Sequence, residues 1–192
     1  MRVICGTAKG RHLVCPGGRA TRPTPDMVKG SLFNILGQNF CGERVLDLFS
    51  GTGALSIEAL SRGAASAVLV DSSPEAVAAI RQNLKTTGLE GMARIYKGDV
   101  EKVLSQIKSD FSNASFDLIF AGPPYSYHNE EWLISEVSRL ELMGREGVLV
   151  FQHSSRRIMP DSSGLIFRYD SRRFGETSLT FYSNNPFSGR RK

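Results

Sequence analysis

The fold is decided by Val45-Leu46-Asp47-Leu48-Phe49-Ser50-Gly51-Thr52-Gly53, which a helical pattern follows from Ala54 to Leu60. Residues of β-forming character enter a turn with two glycines, a layout typical of the strand, tight loop and helix start of a nucleotide-binding α/β fold. Since glycine lacks a Cβ, the backbone at Gly51 and Gly53 can approach a ligand closely. Asp47 is predicted to end the strand with its carboxylate toward that ligand. A Gly-x-Gly pair alone is a weak signal, so the following residues must identify the ligand.

The composition is that of a soluble globular protein. The 192 residues fit one domain or one domain with a small appendage, and 41% of them are hydrophobic and 22% charged. No apolar run approaches the ~20 residues needed to span a bilayer, and the N-terminus does not resemble a signal peptide. The three cysteines and three histidines are widely scattered. We therefore expect a reduced, cytoplasmic setting with no metal site and no membrane segment.

Charge is distributed unevenly along the chain. The net charge is +5, and residues 1–44 and 155–192 each carry +5, whereas residues 45–154 carry −5. Basic ends around an acidic centre predict a polyanionic partner that the ends hold. Solubilising surface charge is the alternative interpretation.

Three parts of the chain are predicted. Residues 1–40 form a basic N-terminal β-hairpin and a helix that packs on the main domain, with Thr24 as the helix N-cap and Pro25 as the first helical residue. The predicted apolar stripe of this helix is Val28, Leu32, Ile35 and Leu36. The main domain covers residues 41–185. Residues 186–192 form a basic tail that we expect to be disordered.

Strands and helices alternate after Val45, which predicts an α/β fold with a mostly parallel sheet and helices on both faces. The closing segments, 165–169 and 178–182, predict an antiparallel C-terminal hairpin strand, so that the sheet has seven strands. The helix after the second strand should begin at Ser72, which has capping-box spacing with Glu75. Gly88 should end that helix.

Acidic residues follow three successive strands, at the edge where open α/β sheets bind ligands: Asp47, Asp71 and Asp99. Asp71 lies 18 residues beyond Gly53, the distance at which a carboxylate binds the ribose of an adenosine. NAD would suit this spacing, but Ser56 occupies the third glycine position of the dinucleotide fingerprint. The carboxylate of Asp47 suits the cationic amino-acid part of S-adenosylmethionine and would repel a pyrophosphate. Helix capping is the alternative role for Asp71 and Asp99.

The fourth predicted strand ends in Gly122-Pro123-Pro124-Tyr125. An apolar strand before x-Pro-Pro-Tyr resembles the signature of methyltransferases that alkylate exocyclic amines of bases. Such an amine is a poor nucleophile, so hydrogen-bond acceptors must localise its lone pair. The resemblance implies that the first proline's carbonyl is one acceptor, that an Asp or Asn before it is the other, and that the aromatic ring stacks on the base. Here Gly122 occupies the Asp or Asn position and offers no side-chain acceptor.

Taken together, these motifs resemble the RsmD-type family, bacterial methyltransferases that modify N2 of a guanine in 16S rRNA with S-adenosylmethionine. The resemblance runs from residue 2 to about 183. Its markers are Arg2–Gly6, Lys9–Arg11, Thr21–Thr24, Leu32–Leu36, Val45–Leu55, Glu58–Gly63 and Phe174–Thr177. It implies a Rossmann-like class I methyltransferase fold and a cytoplasmic monomer. The implied substrate is 16S rRNA in the small ribosomal subunit or its assembly intermediate.

The resemblance also implies a role for each matching residue. The implied cofactor-binding residues are Asp47, Phe49, Gly51, Thr52 and Gly53 at the methionine end, Asp71 and Ser72 at the ribose, and Asp99 and Val100 at the adenine. The implied catalytic residues, facing the guanine, are Gly122, Pro123, Pro124 and Tyr125. The implied RNA-binding residues are Arg2, Lys9, Arg11, Arg19, Arg22 and Thr24.

Three other functions stay open. Because Gly122 lacks an acceptor, the protein could be a weakened enzyme that binds S-adenosylmethionine and RNA as an assembly factor. An NAD-dependent oxidoreductase is disfavoured by Ser56 and by the Pro-Pro-Tyr turn. A DNA adenine methyltransferase fits the turn, but the chain leaves little room for a target-recognition region. The sequence does not identify the guanine that is modified.

Overall fold

The computed structural model describes residues 1–15, 25–112 and 115–185. The expectations for Arg19, Arg22, Thr24 and the tail 186–192 lie outside these residues. The fold is of the α/β class that the sequence predicts: strands that alternate with helices are parallel, and the C-terminal strands are antiparallel. The chain divides into two compact units, Met1–Val100 and Glu101–Lys192.

The first unit contains three parallel strands in the order β3-β2-β1. Its elements are α1 (Asp26–Leu36), β1 (Arg44–Asp47), α2 (Ala54–Ser61), β2 (Ser66–Asp71), α3 (Pro74–Thr87), a 3-10 turn (Glu90–Met92) and β3 (Ala93–Lys97). Asp47 pairs with Leu69, and Asp71 pairs with Lys97. The carboxyl ends of β1 and β2 therefore meet at one edge, where the two aspartates lie.

Helix α3 shows how local sequence sets an element's ends. The predicted cap at Ser72 is wrong by one residue, because the Ser73 hydroxyl accepts the Ala76 N–H at 3.1 Å and donates to Glu75 at 2.7 Å. Ser73 thus satisfies one of the unpaired N–H groups of the first turn. The predicted end at Gly88 is confirmed, since this glycine has φ +71° and closes the helix in the left-handed conformation.

The N-terminal segment folds back on itself and lies on the end of α2. Within residues 1–15, the antiparallel pairing is a single bridge between Arg2 and His12, so the hairpin is shorter there than a two-stranded ladder. The segment is fixed to α2 because the Thr7 N–H donates to the Ser61 carbonyl at 2.8 Å. At Gly6, with φ +83°, a Cβ would lie 1.7 Å from that carbonyl oxygen. Only glycine allows this close approach.

A buried ion cluster joins α1, α2 and the N-terminal segment. The Glu58 carboxylate binds Lys29 Nζ at 3.1 Å and Arg62 Nη2 at 2.9 Å, and the side chains of Glu58 and Lys29 are fully buried. Glu58 also accepts the N–H groups of Ile4 and Cys5 at 2.8 and 2.9 Å. These contacts compensate charges that would otherwise be costly to bury. We call this group the Glu58 cluster.

The Glu58 cluster explains why the prediction of the buried face of α1 is partly wrong. The predicted apolar stripe of α1 included Ile35, but Ile35 is 41% exposed, whereas Lys29 and Phe33 are buried. Lys29 faces inward because its ammonium group binds Glu58 and donates to the Arg2 carbonyl at 2.6 Å. The helix begins at Asp26, with Pro25 at the N-cap position and not at the first helical position as predicted.

The second unit contains five strands in the order β4-β5-β8-β7-β6. Its elements are α4 (Val100–Asp110), β4 (Phe116–Ala121), α5 (Glu130–Arg139), β5 (Met143–Ser154), β6 (Ser162–Ser163), β7 (Ile166–Phe174) and β8 (Thr177–Ser183). β4 and β5 are parallel, and the other pairs are antiparallel. β8 is buried throughout its length between β5 and β7. The two-residue β6 makes eight strands among the described residues, one more than the predicted seven.

Within the described ranges, no helix is long and apolar enough to cross a membrane.

The Glu58 cluster generates a stability prediction. Glu58→Gln removes the negative charge between two buried cations, so we expect it to lower the free energy of unfolding by roughly 3–5 kcal/mol. Urea unfolding at pH 7 measures this change. Glu90→Gln, at an exposed residue of the 3-10 turn, is the matched control and should stay within about 0.5 kcal/mol of the parent. A loss below about 1 kcal/mol for Glu58→Gln would contradict this role of the cluster.

Candidate functional site

The loop between β1 and α2 is fixed to β2 by Ser50. The Ser50 N–H donates to the Val70 carbonyl at 2.9 Å, and the Ser50 hydroxyl accepts the Val70 N–H at 3.0 Å. The same hydroxyl donates to the Asp47 carbonyl at 2.8 Å. These bonds hold the backbone after β1 in a fixed turn from which α2 begins.

Gly51 and Gly53 both have positive φ angles in this loop, +55° and +73°. An ideal Cβ at Gly51 would meet no atom of the protein within 4 Å, so it would project into open space beside the loop. Gly53 is the N-cap residue of α2, and its N–H donates to the Ser50 carbonyl at 2.7 Å. Gly51 therefore leaves the outer side of the loop open, whereas a Cβ at Gly53 would lie 3.1 Å from Leu69 in the core.

Asp47 lies beneath this loop and is only 3% exposed. Its carboxylate accepts the Ser56 hydroxyl at 3.0 Å and the backbone N–H groups of Phe49 and Ser56. Burial raises the pKa of Asp47 to about 7, the hydrogen bond from Ser56 opposes the rise, and the nearby Asp71 carboxylate adds to it. Asp47 therefore organises the backbone of the loop from beneath it.

Asp71 connects three segments at the carboxyl edge of the strands. One carboxylate oxygen accepts the Gly51 N–H at 2.8 Å, and the other accepts the Ser73 N–H at 2.9 Å. The Asp71 carbonyl accepts the Gly98 N–H at 3.0 Å. The structure thus brings together the glycine loop, Asp71 and the segment that contains Asp99.

The other predicted cofactor-binding residues differ in their exposure to solvent. Ser72 and Asp99 are exposed, Phe49 is half-buried, and Thr52 and Val100 are buried. Asp99 directly precedes α4, a position that also fits the capping alternative. Candidate ligand contacts at this edge therefore come from the exposed Ser72 and Asp99 and from the open side of the loop.

Two residues of this site were missed by sequence reasoning. Ser56 had served only as evidence against a dinucleotide fingerprint, whereas its hydroxyl holds Asp47. Asn83, 1% exposed on α3, donates to the Thr52 and Val14 carbonyls at 2.9 and 3.0 Å. A polar residue inside the apolar pattern of α3 was the available signal for Asn83.

Three of the predicted RNA-binding residues, Arg2, Lys9 and Arg11, are exposed on the N-terminal segment. The other three, Arg19, Arg22 and Thr24, lie outside the described residues. Lys29, which the charge distribution counted in the basic N-terminal end, is buried in the Glu58 cluster. The surface charge of this end is therefore smaller than the composition suggests.

In the second unit, Gly122-Pro123-Pro124-Tyr125 directly follows β4. Gly122 does not have a positive φ angle, and a Cβ there would lie 3.9 Å from the Gln152 Cβ, an ordinary contact. The local structure therefore has room for a side chain at position 122. The Tyr125 side chain is 51% exposed.

Arg157 fixes the backbone after the Pro-Pro-Tyr turn. Its guanidinium donates to the Tyr125 carbonyl at 3.0 Å, to the Tyr127 carbonyl and to the Glu130 carboxylate, and it lies 3.2 Å from His128 Nδ1. The planar fork of arginine suits several acceptors at once. We call this arrangement the Arg157 clamp. Sequence reasoning missed it, because Arg157 lies 32 residues from Tyr125 and carries no local motif.

Tyr125 also lines a small cavity of about 240 Å³. We call it the Tyr125 pocket, and its lining residues are Tyr125, Ser154, Ser155, Arg156 and Glu176. In the part of the chain that the structure describes, no group of three His, Cys, Asp or Glu side chains could hold a metal ion.

Comparison with known proteins gives concordant matches. A family model described as "Conserved hypothetical protein 95" matches residues 1–183. "Putative rRNA methyltransferase YlbH" of Bacillus subtilis is 36% identical over 182 residues, 95% of this chain and 98% of that protein. "Ribosomal RNA small subunit methyltransferase D" of Escherichia coli K12 is 34% identical over 125 residues, 65% of this chain and 60% of that protein. The solved "Putative methyltransferase yhhF from Escherichia coli" has a TM-score of 0.79 at 27% identity and covers 95% of this chain and 96% of its own.

The buried Asp47 predicts a pH-dependent stability. Because its pKa rises from 3.8 to about 7, the folded state holds a proton that the unfolded state has lost between about pH 4 and pH 7. Stability therefore falls as the pH rises through this range. Asp47→Asn does not titrate, so it should lose this part of the pH dependence, at most about 4 kcal/mol. Urea unfolding of both proteins at several pH values measures the difference, and parallel pH profiles would contradict the burial of an uncompensated carboxyl.

The Arg157 clamp predicts local rigidity around Tyr125. Arg157→Ala removes donors to two carbonyls and one carboxylate, so amides of residues 125–130 should exchange with solvent at least about tenfold faster. Hydrogen exchange measured by mass spectrometry reports this change. Arg139→Ala, which breaks a surface pair with Glu136, is the control and should leave the exchange of residues 125–130 unaltered. Equal exchange in both variants would show that the clamp does not order the turn.

Proposed function

The chain belongs to the RsmD family, whose model covers residues 1–183, and we propose that it methylates the N2 amine of a guanine in 16S rRNA. The proposed substrate is the small ribosomal subunit or its assembly intermediate, and the proposed methyl donor is S-adenosylmethionine. The observation that carries the proposal is the edge where Asp71 joins the glycine loop to the β3–α4 segment. We further propose that residues 1–40 form an RNA-binding extension of a methyltransferase domain, 41–185, in a cytoplasmic monomer.

The residues at this edge fit the proposed cofactor. The groups that act on the Asp47 carboxylate are the Ser56 hydroxyl, the backbone amides of Phe49 and Ser56, and the Asp71 carboxylate. A cationic ligand group near the loop would therefore stabilise the ionised Asp47. S-adenosylmethionine carries such a group in its amino-acid part and supplies an activated methyl group when it is bound.

Each cofactor-binding residue has a proposed part. Asp71 would accept the ribose hydroxyls while its bonds to Gly51 and Ser73 hold it in place. Asp99 and Val100 would contact the adenine, and Ser72 would lie beside the ribose. Phe49, Gly51, Thr52 and Gly53 would form the surface against the amino-acid part.

The proposed reaction is a direct transfer. A bond forms between N2 and the methyl carbon as the carbon–sulfur bond breaks, and the amine then releases one proton to water. The Pro123 carbonyl would accept an N–H of the amine, Pro124 would shape the turn, and Tyr125 would stack on the base, an interaction worth ~1–3 kcal/mol. Gly122 adds no side-chain acceptor, and loss of one such group typically costs ~10²–10³ in rate.

Exposed basic residues of the N-terminal segment would hold the RNA. Arg2, Lys9 and Arg11 are proposed to contact phosphates, which position the protein without reading sequence. Arg19, Arg22 and Thr24 are proposed to extend this contact.

Gly122 favours a second candidate function. A protein without the side-chain acceptor could bind S-adenosylmethionine and RNA but transfer methyl groups slowly, and so act as an assembly factor. The assembly factor would bind S-adenosylmethionine and RNA as the methyltransferase does, and it would differ from the methyltransferase only in its rate of methyl transfer.

A transfer assay separates the candidates. Small subunits purified from a strain without the protein should accept about one labelled methyl group per particle, on guanine, when enzyme and S-adenosylmethionine are added. Asp71→Asn should weaken cofactor binding about 10- to 100-fold in calorimetry, because a charged acceptor at the ribose is lost. Asp110→Asn, at an exposed residue, is the matched control.

The remaining outcomes discriminate among the alternatives. Cofactor binding without transfer would favour the assembly factor. Binding of NAD without S-adenosylmethionine would favour an oxidoreductase, and transfer to adenine in DNA would favour a DNA methyltransferase.

A further inference from the structure

Three segments of the second unit form the Tyr125 pocket, and hydrogen bonds fix each of them. Tyr125 follows β4, and its carbonyl accepts from Arg157 at 3.0 Å. The Ser155 N–H, just after β5, donates to the Glu176 carbonyl at 2.8 Å. Glu176 lies in the turn between β7 and β8, beside the last pair of the β5–β8 ladder. The backbone around the pocket is therefore fixed, and the pocket volume of about 240 Å³ suits one nucleobase and not a whole cofactor.

The side chains that line the Tyr125 pocket match the hydrogen-bonding groups of guanine. Tyr125 offers an aromatic face, Glu176 offers a carboxylate and Arg156 offers a guanidinium. Guanine presents two adjacent N–H donors, at N1 and N2, and an acceptor at O6. A carboxylate accepts both N–H groups, and arginine donates to guanine O6 and N7. An aromatic side chain stacks on a base taken out of its helix.

Adenine does not match the same groups. Its N1 carries no proton, so a carboxylate at that edge would face a lone pair and would lose a hydrogen bond. The negative carboxylate and that lone pair repel each other, so the Glu176 edge of the pocket disfavours adenine. The charge pattern of the pocket therefore selects between the two purines.

We propose that Glu176 is the residue that gives the Tyr125 pocket its specificity for guanine over adenine. The inference rests on the proposed function for the reaction itself and adds the group that recognises the base. Glu176 accepts the N1 and N2 hydrogens of the guanine, and so it offers the acceptor that Gly122 lacks. Arg156 donates to O6, and the Arg157 clamp keeps Tyr125 in position to stack.

The first test is turnover with substrate particles. Glu176→Gln keeps the size of the side chain but removes its charge, and it should lower kcat/KM for small subunits about 10- to 100-fold. Glu141→Gln is the matched control, because Glu141 is exposed and precedes β5, whereas the pocket lies beyond the other end of that strand. Both variants should bind S-adenosylmethionine like the parent in calorimetry. Full turnover by Glu176→Gln would overturn the proposal.

The second test does not depend on turnover. In NMR titrations, 5′-GMP should bind the full chain at least about tenfold more tightly than 5′-AMP. The phosphate is common to both nucleotides, so the comparison isolates the base. This preference should disappear in Glu176→Gln and persist in Glu141→Gln.

The two tests separate failure of the inference from failure of the proposed function. If the wild-type protein transfers no methyl group but prefers GMP through Glu176, the proposed function fails and the inference stands. If it transfers methyl groups but binds GMP and AMP equally, the inference is overturned and the proposed function stands.

Discussion

The first unit depends on the buried carboxylate of Glu58. This side chain lies in α2, the helix that begins at the glycine loop, and it binds two cations and two backbone N–H groups. Through Lys29 and Ile4 it connects α2 to α1 and to the basic N-terminal segment. The segment proposed to hold RNA and the helix that follows the proposed cofactor loop therefore share one ionic contact. Because the side chains of Glu58 and Lys29 are both buried, salt screens the ion pair between them much less than it screens a surface pair.

Asp47 is the second buried carboxylate near α2, and its situation is the opposite. Glu58 lies between a lysine and an arginine, whereas the donors to Asp47 among the described residues are neutral and the carboxylate of Asp71 lies nearby. Burial raises the pKa of Asp47 to about 7. Within the described residues, Glu58 is therefore paired with cations and Asp47 is not. A cationic ligand group beside the loop would stabilise the ionised Asp47, and for this reason the proposed methyl donor is S-adenosylmethionine and not a dinucleotide.

Much of the fold could be predicted from the sequence, because its signals are local. The strand before the glycine loop, the alternation of strands and helices, the end of α3 at Gly88 and the antiparallel closing strands all follow from short patterns. Asp71 was also identified from its spacing, and the structure places it against the glycine loop. The two-residue β6 was missed, since so short a strand has no periodicity.

The missed features depend on partners that are distant in sequence. Lys29 is buried because Glu58 is its partner 29 residues later, and no local pattern of α1 indicates this. Arg157 contacts Tyr125 across 32 residues, and Asn83 contacts Val14 across 69. The acceptor missing at Gly122 was evident from the sequence, but Glu176 could be connected to it only when the turn between β7 and β8 was seen beside Tyr125.

The central claim is that this protein methylates a guanine of 16S rRNA. Mass mapping of modified nucleotides in 16S rRNA from cells with and without the protein tests it most directly. We expect that one guanine carries a single N2-methyl group in the presence of the protein and is unmodified without it. Identical modification maps in the two strains would contradict the claim.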